Sequence, residues 1–359
     1  MVNLLKRQVR LIASIAISVV FLAVAARNLA GDAGSVVAAL RQANYWFLLP
    51  ALVAYFVGVW LRAARWHFLL RPVKPIAVGR LFPVVVIGYM ANDVLPARLG
   101  EVVRAYVLGE QERVPKTTTL ATILVERMFD GLVMLAFVAL VTLVVPLDAN
   151  IQQVIRLAAA LFLGALVVVF VVVSSRARAV ALVGRLEQLL PAGLEGRIAP
   201  VADRFIQGMN SLQSPRLALA VAALSVGAWL CEATMYLIVA LGFDLRLGYP
   251  AFILTTALAN LMAMVPAAPG YVGTFDAGAL AGLVLFGVAR AQATGYVAVL
   301  HLALWAPVSL LGFYYLWRAN LSLRTLGRRA ADEEKSSTED NIPEGARPAT
   351  IATTKGGSR

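Results

Sequence analysis

Apolar runs of near-spanning length recur along this chain and limit what it can fold into: residues 11–26, 46–61, 117–147, 157–173, 217–241 and 295–317. In hydrocarbon a backbone must pair its own amides and carbonyls, which makes runs of this kind helices. The chain is 60% hydrophobic and 14% charged, against about 45–50% apolar and about 25% charged in soluble proteins. The expected fold class is therefore all-α, a polytopic transmembrane helical bundle.

Charge sets the expected topology. The formal net charge is +12, but the basic residues cluster just beyond hydrophobic spans, as in cytoplasmic loops, and do not point to nucleic acid. After the run at 46–61 come Arg62, Arg65, Arg71, Lys74 and Arg80 with no acid among them. Residues 174–216 carry several arginines and space Val183, Leu186, Leu190, Ile198, Phe205 and Met209 as on a helix face, so they are expected to form one or two amphipathic helices on the membrane surface. Residues 1–329 form the expected transmembrane domain and 330–359 a disordered cytoplasmic tail. The run at 11–26 follows Lys6, Arg7 and Arg10 and is either a first span or a signal peptide. The expected location is the bacterial cytoplasmic (inner) membrane, with both termini cytoplasmic. One cysteine, Cys231, and two histidines, His67 and His301, leave no disulfide framework and no cysteine or histidine metal cluster. No metal or cofactor is expected.

One stretch departs from this pattern. Gly88 to Asp130 lies between hydrophobic segments yet carries Asp93, Arg98, Glu101, Arg104, Glu126, Arg127 and Asp130. A charge at a helix centre costs about 2.5–3.5 kcal/mol on insertion scales, so such groups are kept for a partner or a task. Leu95-Pro96 and the turn-like Arg113-Val114-Pro115-Lys116 break the stretch. A helix after Pro96 would place Arg98, Glu101 and Arg104 on one face, where they can pair; a further helix would set Glu126 and Asp130 together, with Arg127 beside them. Residues 81–95 are too short for a confident crossing. If the two basic loops lie on one side, the crossings between them must be even in number, so 81–95 is expected to enter and return. Downstream, 251–265 and 277–288 are both short and flank a Pro-Gly turn at 266–273; they cross twice or form one re-entrant hairpin from the opposite face. Broken segments in corresponding positions point to an inverted repeat with a site at the midplane. No residue-level self-similarity links the halves, so the repeat rests on the pattern of breaks.

Asn92, Leu95, Pro96, Arg98, Gly100, Glu101 and Arg104, followed by Glu126, Arg127 and Asp130, resemble the signature of the lysylphosphatidylglycerol synthase transmembrane family, also called the flippase-like domain. VPAAPGYVGTFD, from Val265 to Asp276, is similar to that family's second motif, a Pro-Gly-Gly-x-Gly run followed by an acid, with Tyr271 where a second glycine is usual and Asp276 where glutamate is commoner. The resemblance covers residues 11–316. It implies a membrane domain that translocates aminoacylated lipids when fused to a soluble aminoacyl-transfer domain, and that elsewhere accompanies glycolipid synthesis. This sequence carries no such fused domain, so it is expected to act alone, with a separate enzyme, or on another lipid.

The residues themselves support the same chemistry. Arg98 and Arg104 offer guanidinium forks that match phosphate oxygens. Glu101, Glu126 and Asp130 can neutralise them in the empty state, or accept a proton or a cationic headgroup; the alternative is a salt-bridge cluster that only holds a hairpin together. Asn92 and Asp93 cap a half-helix or bind a polar group. Pro96, Gly100, Pro266 and Pro269 are expected hinges. Gly270 and Gly273 free amides for an anion or form a plain tight turn, and Asp276 follows them. His301 is expected to be a bonded structural histidine, and Cys231 a packing residue. The expected function is translocation of a phospholipid or lipid-linked headgroup between leaflets through a polar intramembrane cavity. A non-transporting partner of a lipid- or glycolipid-modifying enzyme is the alternative. A lipid-headgroup transferase ranks below both, because no nucleophile constellation is found.

Overall fold

Proline sets many of the boundaries in this chain, a computed structural model of which describes residues 33–95, 99–145, 215–264 and 269–319, with the isolated positions 153, 160 and 164. Helix α1 (Ala33–Gln42) precedes a short 3-10 turn, Tyr45–Phe47, and the long α2 (Leu48–Leu70). Then come α3 (Val78–Val94), α4 (Gly100–Glu112) and α5 (Lys116–Val144). After the gap follow α6 (Pro215–Gly242), α7 (Tyr249–Ala263), a 3-10 turn at Pro269–Tyr271, α8 (Thr274–Leu285) and α9 (Arg290–Arg318). Pro72 lies just past the end of α2, and Leu95, the residue before Pro96, ends α3 in extended backbone, as the steric demand of proline on its predecessor requires. Pro215 and Pro250 sit in the first turns of α6 and α7, where no amide partner is lost. No strand occurs among the described residues. The runs at 11–26 and 157–173, the amphipathic segment before α6, the tail, and Pro96, Arg98 and Pro266 lie outside them.

Among the described residues 4 helical stretches are long and apolar enough to cross a bilayer: Tyr45–Leu70, Lys116–Val144, Arg216–Gly242 and Arg290–Arg318. Their outward faces carry Leu49, Val53, Leu143, Leu219, Leu310 and Trp317, all well exposed, as expected where the neighbour is lipid. The span expected at 46–61 runs on to Leu70. Arg62 and Arg65, expected in a cytoplasmic loop, lie inside α2 and are buried. The helix continues through them because both find acids on neighbouring helices, which removes the cost of keeping them inside.

The short helices form two hairpins. At about 1.5 Å per residue, α3 and α4 reach roughly 26 and 20 Å, and α7 and α8 roughly 22 and 18 Å, short of the ~30 Å hydrocarbon core. Each pair turns back on itself. In the first, a Cβ on Gly88 would collide with the Arg104 side chain, and one on Gly100 with the Gly88 carbonyl, so only glycine allows this approach of α3 and α4. Its mouth is closed by Lys74 and Arg80 on Glu112, at 2.8 and 3.4 Å. In the second, Gly278 lies on Leu258 and Ala259, and Gly282 on Thr255. Its mouth lies at the opposite end, where Gln292 donates to the Phe243 carbonyl at 3.0 Å. The expected choice between two crossings and one hairpin at 251–290 thus resolves as a hairpin.

The two halves repeat with inverted direction. Helices α2 and α6 run antiparallel: the Asn44 amide donates to Gly242 at 2.8 Å at one end, and Arg65 donates to Ser225 at 3.0 Å toward the other. Each half reads long helix, short hairpin, long helix. Hairpin helix α3 packs on the second half of α9, with Met90 against Gly312. Hairpin helix α7 packs on the second half of α5, where Leu254 and Ala257 cluster with Val133, Met134 and Phe137. The relation appears in packing and not in residue identity because it needs only apolar lengths and breaks in the same order.

Candidate functional site

Charged side chains from α2, α4, α5 and α6 meet near the middle of the long helices. On α5, Glu126 and Asp130 share one face, as their spacing requires. Arg65 lies between them, with Nη1 at 2.6 Å from Asp130 Oδ1 and Nε at 3.7 Å from Glu126 Oε1. Asp130 also accepts from Trp229 Nε1 at 2.9 Å and pairs with Arg127 Nη2 at 3.2 Å. Arg104 Nη1 reaches Glu126 Oε2 at 2.8 Å. Pairing of Arg104 with Glu101 on its own helix was the sequence expectation; the structure instead runs the Arg104 stem across Gly88 toward α5, with its guanidinium 4.1 Å from the Trp66 ring centroid. Glu101 stands in the first turn of α4, half-buried.

A second pair joins the two repeats. Arg62 Nη2 lies 2.7 Å from Glu232 Oε2, and Asn260 donates to the other Glu232 oxygen at 2.9 Å. The Arg62 guanidinium sits 4.5 Å from the Trp229 ring centroid. Glu232, Arg62 and Arg65 are functional candidates that the sequence reading missed. A lone acid in the apolar run at 217–241 was the available signal for Glu232. Among the described residues, Arg104 Nε and Nη2 and Arg127 Nε have no hydrogen-bond partner, so buried guanidinium donors remain unsatisfied.

Part of this cluster borders a cavity of about 160 Å³ that both hairpins help to enclose. Its charged wall is Arg62, Arg127, Asp130 and Glu232; its aromatic wall includes Tyr55, Tyr89, Trp229 and Phe275. Tyr89, Asn92 and Asp93 come from the end of α3, and Gly270 and Tyr271 from the turn before α8. The hairpin tips meet here: Trp305 Nε1 lies 3.5 Å from the Asp93 carbonyl and close against Gly270, and Ser309 donates to the Asp93 carboxylate at 2.8 Å. Asn92 accepts the Gly100 amide at 2.7 Å and so caps the next helix across the break.

Not every sequence candidate lines this cavity. Asn92, Arg127, Asp130 and Gly270 do; Glu101, Arg104, Glu126, Gly273 and Asp276 are not among its lining residues. The Gly273 amide, expected either to be free for an anion or to belong to a plain tight turn, is taken by Asp276 Oδ2 at 2.8 Å. Asp276 Oδ1 meets His301 Nδ1 at 2.6 Å. The turn needs left-handed backbone at Gly270 (φ 72°), Tyr271 (φ 59°) and Gly273 (φ 90°), and spends its acid on holding that shape.

Residues 11–312 match the family described as the lysylphosphatidylglycerol synthase TM region. A UPF0104 membrane protein of Methanothermobacter thermautotrophicus is 30% identical over 272 residues, covering 71% of this chain and 80% of the relative. Glycosyltransferase AglD of Haloferax volcanii is 26% identical over 306 residues, covering 75% of this chain and 48% of the relative, so the match spans about half of that protein. A UPF0104 membrane protein of Methanocaldococcus jannaschii is 28% identical over 105 residues, 28% of this chain and 31% of the relative. No solved structure matches. The match across residues 11–312 makes this chain a member of the lysylphosphatidylglycerol synthase TM family of membrane proteins.

Proposed function

We propose that this protein moves the polar headgroup of a phospholipid or lipid-linked saccharide between leaflets, through the cavity that the two hairpins enclose, while the acyl chains stay in the bilayer. The carrying observation is a polar chamber halfway along the long helices, walled by Arg62 and Arg127 and reached by hairpins from opposite ends. Dragging a charged headgroup through hydrocarbon costs many kcal/mol; prearranged guanidinium and carboxylate groups lower that cost by replacing water. A phosphate can take the donor face of Arg127, whose acid Asp130 retains Arg65 when Arg127 turns away. The acids at the cavity then hold the cluster together in its empty state. Arg71, Lys74, Arg80 and Arg113 lie at the mouth of the first hairpin, which supports a cytoplasmic position for that end and a cytoplasmic membrane for the protein.

The test is reconstitution in vesicles with a fluorescent phospholipid and an impermeant quencher. Wild type raises the rate at which label leaves the inner leaflet, and Arg127→Gln abolishes the increase while remaining monodisperse in detergent. Equal rates for protein-containing and empty vesicles, across anionic and zwitterionic lipids, would reject the proposal. The similarity to about half of a protein named as a glycosyltransferase favours one second reading, a membrane partner of a lipid-modifying enzyme. That reading expects co-purification with such an enzyme and no activity in vesicles alone.

A further inference from the structure

His301 stands where the second hairpin, α9 and the tip of the first hairpin converge. Its Nε2 lies 2.9 Å from the Gly270 carbonyl and its Nδ1 2.6 Å from Asp276 Oδ1. A carbonyl oxygen only accepts, so Nε2 carries a hydrogen. Neutral imidazole has one N–H, so the Nδ1 contact requires a second proton, carried on the ring as imidazolium or on Asp276 as the carboxylic acid. In either form the pair holds one proton more than neutral histidine plus carboxylate. Remove it, and the one remaining N–H serves only one contact, so the other nitrogen's lone pair faces either the Asp276 carboxylate or the Gly270 carbonyl at hydrogen-bonding distance, where the two repel. This proton therefore fastens the turn at Gly270 to α9, with the other Asp276 oxygen still on the Gly273 amide.

The fastening sits in a wall between two spaces. His301 and Trp305 line the polar cavity on one side and an apolar groove of about 370 Å³ on the other. That groove is otherwise formed by Val272, Thr294, Val297, Ala298 and Leu302, with Asp276 at its edge. Leu302 is 61% exposed, so the groove opens toward lipid. The charged and titratable groups around His301 are Asp276 on α8 and Asp93 on α3, with Arg62, Arg127, Asp130, Glu232 and the phenols of Tyr55, Tyr89 and Tyr271 on the walls of the cavity; the Phe275 ring meets the imidazole edge-on at 5.0 Å. Among the described residues His301 is the one basic side chain in contact with Asp276.

We propose that His301 and Asp276 bind a coupling proton, and that its release frees the Gly270 turn from α9 and joins the polar cavity to the apolar groove, where the acyl chains of the lipid lie during passage. The cargo in this statement rests on the translocation reading above; the proton site rests on the contacts of His301 alone.

Two measurements on the full chain in phosphatidylethanolamine and phosphatidylglycerol vesicles separate them. The first places spin labels at Val272→Cys and Ala298→Cys in a Cys231→Ser background and follows their distance from about pH 5 to about pH 9, the range a histidine proton spans. The distance lengthens on deprotonation in the otherwise native chain and is independent of pH in His301→Gln and in Asp276→Asn. A distance that ignores pH in the parent, or still follows it in both variants, overturns the proton site. The second measures translocation of fluorescent phosphatidylglycerol over the same range. A pH-dependent rate that becomes flat in both variants supports coupling, and a rate that is flat in the parent overturns coupling. Movement of the labels with no translocation at any pH would overturn the carrier reading, while the proton site itself would be supported.

Discussion

Arg62 and Glu232, 170 residues apart in sequence, join antiparallel helices of opposite repeats through a 2.7 Å ion pair. Both are buried, at 4% and 7% exposure. Removing one partner of a buried pair costs about 3–5 kcal/mol, whereas replacing both by apolar residues is often neutral or stabilising. Arg62→Met and Glu232→Leu are each expected to lower the unfolding midpoint in detergent, and the double variant to recover most of the loss. A double variant as unstable as the sum of the singles would remove the pairing from the account.

Arg65 and Arg127 share Asp130 but differ in consequence. Arg65 is 1% exposed and bonds Asp130, with Glu126 nearby, so Arg65→Ala leaves Asp130 to Arg127 and Trp229 and Glu126 to Arg104, and is expected to cost about 3–5 kcal/mol because a buried ion network loses its central cation. The Arg127 side chain is 35% exposed toward the cavity and leaves Asp130 its Arg65. Arg127→Gln is therefore expected to lose less than Arg65→Ala, and to fold. Thermal unfolding of the two variants side by side checks the contrast.

The approach of α3 to α4 depends on Gly88 and Gly100. A side chain at either position meets Arg104 or helix backbone. Gly88→Ala is expected to cost about 1–3 kcal/mol through overpacking and to displace Arg104 from Glu126. Gly34→Ala, where nothing lies within 4 Å of an added Cβ, is the control expected to change nothing.

At the mouth of the first hairpin, Lys74 donates to Glu112, and Arg80 adds a weaker contact. The Lys74 hydrogen bond is the largest of the effects that hold the Glu112 carboxyl below its ordinary range. A carboxyl lowered in the folded state stabilises above its unfolded pKa, and the contribution fades as pH falls through the folded value. The stability difference between wild type and Glu112→Gln is expected to be about 0.2–1 kcal/mol near neutrality, to shrink with salt, and to vanish in acid. Unfolding series over pH and salt measure it.

Breaks and local spacing were legible in the sequence. Pro96 marked the first turn, Glu126 and Asp130 fell on one face as their four-residue separation requires, and the shortness of 251–265 marked the second hairpin. The pairing of charges was not legible, because each partner lies far along the chain: Arg65 with Asp130 is separated by 65 residues and Arg62 with Glu232 by 170. Five basic residues without an acid look like a cytoplasmic loop, and only the docking of α2 on α5 and α6 shows that the first two belong inside. Glu232 was hidden by the high apolarity of its helix. His301 was read as structural; its contacts with Asp276 and Gly270 depend on a left-handed turn that spacing does not specify.

The most direct test of the cavity as the headgroup path is to fill it. Asn260 lines the chamber and, on substitution, leaves Glu232 its Arg62. In a Cys231→Ser background, Asn260→Cys is expected to translocate fluorescent phospholipid in vesicles until a bulky thiol reagent modifies it, and then to fall to the rate of empty vesicles. Full translocation after quantitative labelling would contradict the account.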